Sequence, residues 1–131
     1  VREGINKYRS GEYHVFTNLK REDYLGFLKN TKCIVGNSSS GLLEAPSFKT
    51  PAVNIGRRQN KRVRGANVID VDYDYNQIVN GMKKAMSKKF RDFLNKECVN
   101  PYGDGKSSKR IIDILLSTKI DDKLLIKNLT Y

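Results

Sequence analysis

The chain contains 131 residues, of which 38% are hydrophobic, and it carries a formal net charge of +11. This length and composition predict one domain with an adequate core, and no stretch approaches the ~20 consecutive apolar residues of a membrane-spanning helix. The first residues form no hydrophobic signal segment, so we expect a cytoplasmic protein without a membrane partner. The two cysteines match no zinc spacing, and Cys33 is interpreted as a small buried apolar residue in a reducing compartment.

The 25 basic residues are spread along the whole chain. They accompany no sequence pattern of a nucleic-acid-binding motif, and lysine-rich helix surfaces are often simply solvated. We therefore expect no nucleic-acid partner. A small anion explains the basic bias equally well.

Two elements are predicted before residue 31. Residues 13–16 form a candidate strand that carries the only histidine of the chain, His14. No second metal ligand or nucleophile lies near it in sequence, so we expect His14 to be a strand residue and not a catalytic base. Residues 21–29 predict a helix, because acidic residues occur in its first turn and its apolar residues fall on one face, namely Tyr24, Leu25 and Leu28.

Residues 33–46 (CIVGNSSSGLLEAP) contain the most informative pattern of the chain. Residues 33–35 predict a buried strand, residues 36–41 a tight turn of small polar residues, and residues 42–45 the start of a helix that Pro46 keeps short or kinked. Such a junction directs free backbone N–H groups and the positive end of a helix dipole out of the sheet, and serine hydroxyls add donors. The turn therefore suits an anion, above all a phosphate.

Alternative interpretations of this turn stay open. Serine and asparagine are preferred helix N-caps, so the turn could be a cap that binds nothing. Glu44 stands at the end of the first helical turn, where its carboxylate could reach back to cap a free N–H or forward to accept from ligand hydroxyls. The two roles predict different partners for one carboxylate.

A second informative segment follows the next predicted strand, residues 51–56. Five basic residues occur within eight positions, at 57, 58, 61, 62 and 64. Ligands of open α/β sheets bind outside the carboxyl ends of the strands, so this loop and the serine-rich turn should open into one crevice if their strands are neighbours. An arginine there would clamp a phosphate bidentately. A merely solvated basic loop is the alternative.

Helices dominate the rest of the predicted fold. A strand over residues 67–71 and a helix capped by Asp74 come first, and the core-facing stripe of that helix is expected to be Ile78, Val79, Met82, Ala85 and Met86. Residues 88–97 predict a helix whose inward residues are Phe90, Phe93 and Leu94. After a structured turn over residues 100–106, the serines at 107 and 108 are expected to cap a helix that buries Ile111, Ile112, Leu115 and Leu116.

Strands that alternate with helices predict an α/β fold, a Rossmann-like and mainly parallel sheet flanked by helices and joined by right-handed crossovers. About four predicted strands are few against the roughly five to six of a typical sheet. We therefore expect residues 1–131 to form a single domain that is incomplete by itself. A second domain would complete the ligand cleft.

Three segments are specific in combination: residues 34–48 (IVGNSSSGLLEAPSF), residues 50–59 (TPAVNIGRRQ) and residues 67–69 (NVI). Together they closely resemble the UDP-N-acetylglucosamine 2-epimerases, particularly the hydrolysing kind that makes N-acetylmannosamine for sialic-acid-type sugars. The resemblance extends from about Asn18 to the turn at 100–105 and the helix after it. It implies the GT-B architecture, two Rossmann-like domains with the nucleotide sugar between them, of which this chain would be the C-terminal half.

The resemblance also implies a UDP site. The pyrophosphate cradle of such enzymes is matched by the serine-rich turn, that is, by Ser38, Ser39 and the backbone through Gly41. Glu44 resembles the acceptor for the ribose hydroxyls, Arg58 resembles the arginine near the phosphates, and the backbone around Leu19 would lie against the uracil. The full set of implied UDP contacts is Leu19, Asn37, Ser38, Ser39, Ser40, Gly41, Glu44 and Arg58.

The implied mechanism is elimination of UDP to a 2-acetamidoglucal intermediate, followed by addition of water at C1 with inverted configuration at C2. Its acid/base groups lie mostly in the N-terminal domain and at the start of the second domain, before the matched part, so no catalytic residue is assigned to this chain. No metal or other cofactor is implied. The expected partners are a UDP-sugar substrate, the N-terminal domain and, for the full-length enzyme, further copies of itself, and the isolated chain is expected to be inactive.

Other functions remain open at this point. A GT-B glycosyltransferase would use a similar turn and glutamate but would transfer the sugar to an acceptor, and the NIGRRQ segment argues against it. A non-catalytic nucleotide-sugar or anion-binding module would bind without turnover. Within the epimerases, an N,N′-diacetylbacillosamine-type substrate competes with N-acetylglucosamine, because the sugar-recognition residues lie largely outside this segment.

Overall fold

Residue 4 and residues 13–126 are described by a computed structural model. The elements of this part, in chain order, are α1 Arg21–Asn30, β1 Ile34–Gly36, α2 Ser40–Leu43, a 3-10 helix Ala45–Phe48, β2 Ala52–Ile55, β3 Val68–Val71, α3 Tyr75–Met86, α4 Lys88–Glu97, α5 Ser107–Ser117 and α6 Asp122–Leu125. Among these residues no helix is both long enough and apolar enough to cross a membrane.

The strands of the described residues form one parallel sheet in the order β1-β2-β3. Gly36 pairs with Asn54 and Ile55 pairs with Val71, so the carboxyl ends of all three strands lie at one edge. Helices follow β1 and β3 in the chain. The predicted α/β class with a parallel sheet is confirmed.

The predicted strand over residues 13–16 is wrong, because these residues are irregular and exposed. The Phe16 ring packs against Phe27 of α1, with 5.7 Å between the ring centroids. The apolar contact of this segment is therefore with a helix, and no β-ladder forms there. His14 lies exposed outside any strand, and the described sheet has three strands.

The core lies between the sheet and helices α2 and α3, and α4 packs against α3. Leu42, Val53 and Leu94 are among the fully buried side chains of the core. Helix α3 approaches the sheet closely, because a Cβ on Gly81 would lie 3.1 Å from Val71 Cγ1 and 3.2 Å from Val53 Cγ1. Glycine at this position thus sets the distance between α3 and the strands.

Side-chain caps fix the starts of α3 and α4. Asp74 accepts from the Gln77 N–H at 2.8 Å, which confirms the predicted cap. Ser87 accepts from the Phe90 N–H at 3.2 Å and caps α4 in the same way. Both helices therefore begin where a short polar side chain satisfies a free N–H.

The inward faces of α3 and α4 are narrower than predicted. Ala85 and Leu94 are buried, but Met86 is 42% exposed and Phe93 is 44% exposed. Met86 is the last residue of α3, and Phe93 stacks on Phe90 with 6.0 Å between the ring centroids. The remaining stripe residues of α3 are partly buried, namely Ile78, Val79 and Met82.

Helix α5 departs furthest from the sequence-based prediction. The predicted inward residues are all more than half exposed, namely Ile111, Ile112, Leu115 and Leu116. The serines at 107 and 108 do not cap it, since the N-cap is Lys106 and Asp104 accepts from the Lys106 N–H at 3.0 Å. Arg110 pairs with Asp104 at 2.8 Å and holds the pKa of that carboxyl at about 2. An apolar stripe becomes core only where another element covers it, and no residue of α5 is buried.

Both cysteines are free thiols. Cys33, expected to be buried, is half-buried, whereas Cys98 is buried. Burial raises the pKa of both thiols above the ordinary value. Both therefore stay protonated at neutral pH and contribute packing to the fold.

Candidate functional site

The serine turn, residues 36–41, begins where β1 ends at the carboxyl edge of the sheet. Gly36 has φ +142°, a conformation that favours glycine, and turns the chain out of the strand. The backbone N–H groups of Ser38 and Ser39 donate to no acceptor among the described residues. Ser38 Oγ accepts from the Ser40 N–H at 3.3 Å, so its hydroxyl proton stays available to a ligand. The turn thus presents backbone and hydroxyl donors together.

A cavity of about 280 Å³ opens beside the serine turn. Strands β1 and β2 and Leu42 of α2 supply its apolar part. Its polar side chains are Asn37, Ser38 and Asn54, and the backbone of Gly36 and Gly41 completes the lining. A Cβ on Gly41 would lie 3.2 Å from Ala52 Cβ, so glycine lets α2 approach β2. None of the described residues that line the cavity is titratable, and the described part of the chain holds no group of three or more metal-ligating side chains. The cavity is therefore suited to hydrogen bonding and not to acid/base chemistry.

Ser39 and Ser40 do not line this cavity. Ser40 is 7% exposed, and its Oγ accepts from the Tyr24 hydroxyl at 2.7 Å, so this side chain joins α2 to α1. Helix α2 has four residues, and its dipole is small because a macrodipole sums over aligned peptides. The helix dipole expected at this turn is therefore a minor effect beside the free N–H groups.

Glu44 follows α2 and is half-buried. Its Oε2 is buried without a hydrogen-bond partner in the part of the chain that the structure describes. Neither Ser39 nor Glu44 makes a side-chain capping bond. The bond of the turn that resembles a cap is the one from the Ser40 N–H to Ser38 Oγ, so the carboxylate of Glu44 is not used as a cap. A buried carboxylate oxygen without a partner is costly. Glu44 does not belong to the lining of the cavity beside the serine turn, so its role toward a ligand stays a prediction.

The basic loop, residues 57–65, lies directly beside the serine turn. Gln59 Nε2 donates to the Asn37 carbonyl oxygen at 2.7 Å, and the parent strands are hydrogen-bonded neighbours. The two loops therefore lie side by side at one edge of the sheet. No residue of the described basic loop lines the cavity beside the serine turn, so the single crevice stays a prediction. The exposed loop residues that form no ion pair with any described residue are Arg57, Arg58, Lys61 and Arg62.

Arg64, the fifth basic residue of the loop, is already engaged. Its Nε lies 2.7 Å from Asp70 Oδ2 and its Nη2 lies 3.2 Å from Asp70 Oδ1. Asp70 also accepts from Asn54 Nδ2 at 2.6 Å. The hydrogen bond from Arg64 lowers the pKa of Asp70, and Asp70 raises the pKa of Arg64 in turn. Arg64 therefore anchors the loop to β3 and is not free to hold a ligand.

Leu19 lies apart from the serine turn. It lines a separate groove of about 550 Å³ along α1, together with Phe27. The structure thus brings Asn37, Ser38 and Gly41 to one cavity and places Leu19 in another groove. The assignment of Leu19 to the uracil stays a prediction.

Three buried amides organise the site, namely Asn54, Gln59 and Asn67. They lie in the segments that carry the family resemblance, but the sequence assigned no individual role to them. Asn67 is completely buried, and its Nδ2 donates to the carbonyls of Gly41 at 3.0 Å and Thr50 at 2.9 Å. A polar amide inside or beside an apolar strand was the available signal for Asn54 and Asn67. Gln59 carried no such signal, because its sequence neighbours are also polar.

Comparison with known proteins shows which protein family the sequence resembles. The sequence model of the UDP-N-acetylglucosamine 2-epimerase family matches residues 1–116. A Legionella pneumophila protein named UDP-N,N'-diacetylbacillosamine 2-epimerase (hydrolyzing) is 38% identical over 128 residues, which cover 97% of this chain and 33% of the relative. Polysialic acid biosynthesis protein P7 of Escherichia coli is 44% identical over 98 residues, or 73% of this chain and 25% of that protein.

The fold is also found in a solved structure. A crystal structure from Listeria monocytogenes, described as that of a UDP-N-acetylglucosamine 2-epimerase, matches with a TM-score of 0.73 at 20% identity, over 88% of this chain and 32% of that one. The match confirms the predicted fold class, an α/β domain of the GT-B architecture. The chain spans about a quarter to a third of the length of the relatives that it matches.

Proposed function

The chain belongs to the UDP-N-acetylglucosamine 2-epimerase family, and on that premise we propose that it is the UDP-binding, C-terminal part of a hydrolysing UDP-N-acetylglucosamine 2-epimerase. The observation that carries the proposal is the bond between Gln59 and Asn37, which holds an arginine-rich loop against a turn with free backbone donors. Free N–H groups beside exposed guanidinium groups suit a pyrophosphate.

In the proposed reaction, UDP leaves from C1 of UDP-N-acetylglucosamine as the C2 proton is removed, which gives 2-acetamidoglucal. Water then adds at C1 and a proton returns to C2 on the opposite face, so the products are N-acetylmannosamine and UDP. Negative charge grows on the departing pyrophosphate, and donors fixed around it stabilise the transition state. This chain contributes binding and leaving-group stabilisation, and the acid/base groups belong to the N-terminal part of the enzyme.

Each sequence-assigned residue has a role in this proposal. Ser38 and Ser39 hold the pyrophosphate through their N–H groups and hydroxyls, and Asn37 and Gly41 complete the cradle. Ser40 supports the cradle from behind, because its Oγ is bonded to Tyr24 and its N–H to Ser38 Oγ. Arg58, exposed in the basic loop, reaches the phosphates. Glu44 accepts from the ribose hydroxyls, for which its unpartnered Oε2 is the support. The groove that Leu19 lines receives the uracil.

Two sugars fit the proposal at the level of this chain. The name of the Legionella pneumophila relative supports an N,N′-diacetylbacillosamine-type substrate, and that of the Escherichia coli relative supports a sugar of sialic-acid biosynthesis. UDP is the same leaving group in both cases, so the serine turn and the basic loop serve either substrate. We place N-acetylglucosamine first because the family model carries its name.

The proposed partner of the chain is the remaining part of the enzyme, with the full-length protein as a cytoplasmic homo-oligomer. Large apolar side chains exposed along α5 and α6 support a covering partner, namely Ile111, Ile112, Ile114, Leu115, Leu116, Leu124 and Leu125. Family membership favours an epimerase over a glycosyltransferase. A nucleotide-sugar sensor would share the binding site but would lack turnover in the full-length protein.

Titration calorimetry of the chain with UDP tests the proposal, with UMP, GDP and inorganic pyrophosphate as comparison ligands. We expect Ser38→Ala to weaken UDP binding by about 1.5–3 kcal/mol, because a hydroxyl bond to a charged phosphate is lost. Ser108→Ala is the matched control, since Ser108 is an exposed serine on α5. Circular dichroism of each variant verifies that it is folded.

The salt dependence of UDP binding distinguishes a specific nucleotide site from a surface patch that binds any anion. Titrations at about 0.05 M and 0.5 M salt differ strongly in screening length. Saturable binding that prefers UDP over UMP and GDP and survives the higher salt supports the proposal. Binding that follows ligand charge alone and disappears at the higher salt contradicts it, as does an unchanged affinity in Ser38→Ala.

A further inference from the structure

Gln59 is 2% exposed, although it lies within a loop of exposed basic residues. Its Nε2 donates to the Asn37 carbonyl oxygen at 2.7 Å, whereas its Oε1 is buried without a partner among the described residues. Burial costs a glutamine both side-chain entropy and hydration. The bond to Asn37 is the contact that offsets this cost.

The Asn37–Ser38 peptide is trans, because the described residues contain no cis peptide bond. In a trans peptide the C=O of one residue and the N–H of the next point in opposite directions. A donor that fixes the Asn37 carbonyl therefore also fixes the direction of the Ser38 N–H. That N–H donates to nothing in the described chain.

Gln59 is itself held to the sheet. Its backbone carbonyl accepts from Arg64 Nη1 at 3.1 Å, and Arg64 pairs with Asp70 of β3 at 2.7 Å. Asp70 accepts in turn from Asn54 of β2 at 2.6 Å. The serine turn is thereby connected through the basic loop to the strands beside it, and Gln59 is a rigid support.

We propose that Gln59 is a positioning residue of the nucleotide site, which orients the Ser38 N–H for the pyrophosphate without touching the ligand. The inference rests on the proposed function for the identity of the ligand, whereas the orientation of the peptide is a property of the free chain. The basic loop then has two roles. Its exposed arginines supply positive charge for the phosphates, and its buried glutamine fixes the orientation of the Ser38 N–H.

The variant Gln59→Met tests this role, because methionine has a similar length and tolerates burial but cannot donate. Asn60→Leu is the matched control, an exposed amide in the same loop. Circular dichroism verifies that each variant is folded. We expect Gln59→Met to raise the Kd for UDP at least about tenfold, because the Ser38 N–H is no longer oriented and its bond to the charged ligand is lost. Asn60→Leu should stay within about twofold. A folded Gln59→Met chain that binds UDP like the parent overturns the proposal.

A second measurement needs neither a variant nor a nucleotide. In the unsubstituted chain, scalar coupling across the hydrogen bond between Gln59 Nε2 and the Asn37 carbonyl carbon reports the contact directly by NMR. Absence of the coupling overturns the inference even if UDP binds. Coupling without UDP binding supports the orientation of the Ser38 peptide and overturns the proposed function instead, so the two failures are distinguishable.

Discussion

The Glu44 carboxylate has an unsatisfied hydrogen-bond acceptor that a ligand hydroxyl is proposed to satisfy. Its Oε2 is buried without a partner among the described residues, and no helix cap uses it. A buried acceptor without a donor costs about 1–3 kcal/mol. A sugar hydroxyl would remove that cost when it binds.

We predict that Glu44→Gln weakens UDP binding by about 1–2 kcal/mol, because a neutral amide oxygen is a weaker acceptor than a carboxylate. Inorganic pyrophosphate has no ribose hydroxyl, so its affinity should not fall. Calorimetry with both ligands measures the difference, and Glu97→Gln, the same charge change at an exposed residue of α4, is the control. Equal losses for the two ligands would exclude the ribose role.

The turn of this site could be predicted from the sequence, whereas the buried contacts of single residues could not. The GNSSSG pattern predicted the turn because its small polar residues restrict what the backbone can form. Gln59 was not predictable in the same way, since its burial depends on a contact with Asn37 that is 22 residues away in the chain. Ser40 belongs to the predicted UDP contacts, but its side chain is buried against Tyr24 of another helix and does not line the cavity.

At the scale of elements, Asn67 connects the site to the core. Its Nδ2 bonds to the carbonyls of Gly41 in α2 and Thr50 before β2, so one buried side chain fixes how the short helix meets the strand. We predict that Asn67→Ala lowers the free energy of unfolding by about 2–4 kcal/mol, because two buried carbonyls lose their donor. Chemical denaturation followed by circular dichroism measures this loss.

Asn30→Ala is the control for this prediction. Asn30 is exposed and its Nδ2 donates to the Gly26 carbonyl at 2.8 Å, so water can replace the bond. The control should lose no more than about 1 kcal/mol. Similar losses in both variants would mean that Asn67 does not act through the buried bonds.

Elements with local signals were predicted well, and those that depend on distant partners were not. The predicted cap Asp74 starts α3 through its own side chain, and the α4 bounds agree with the prediction. Residues 13–16 have strand-like composition but no strand beside them. Helix α5 has the expected apolar stripe, yet its burial requires a surface that the described chain does not supply.

At the scale of the whole molecule, the lining of the cavity indicates which part of the proposed enzyme binds the nucleotide and which part supplies the acid/base groups. The described lining of the cavity contains no titratable side chain, and His14 lies exposed in an irregular segment. Removing a proton from C2 and returning one requires positioned acids and bases. Binding and chemistry would therefore be supplied by different parts of the full-length protein.

We predict that the isolated chain binds UDP but releases none from UDP-N-acetylglucosamine or from UDP-N,N′-diacetylbacillosamine. A coupled assay for free UDP, with the Legionella pneumophila relative as the positive control for the second sugar, measures release directly. Because the described residues that line the cavity include no acid/base group, we expect that holding the leaving group alone does not break the C1–O bond at a useful rate. UDP release that scales with the concentration of the pure chain and falls in Ser38→Ala would show that this part carries its own catalytic groups.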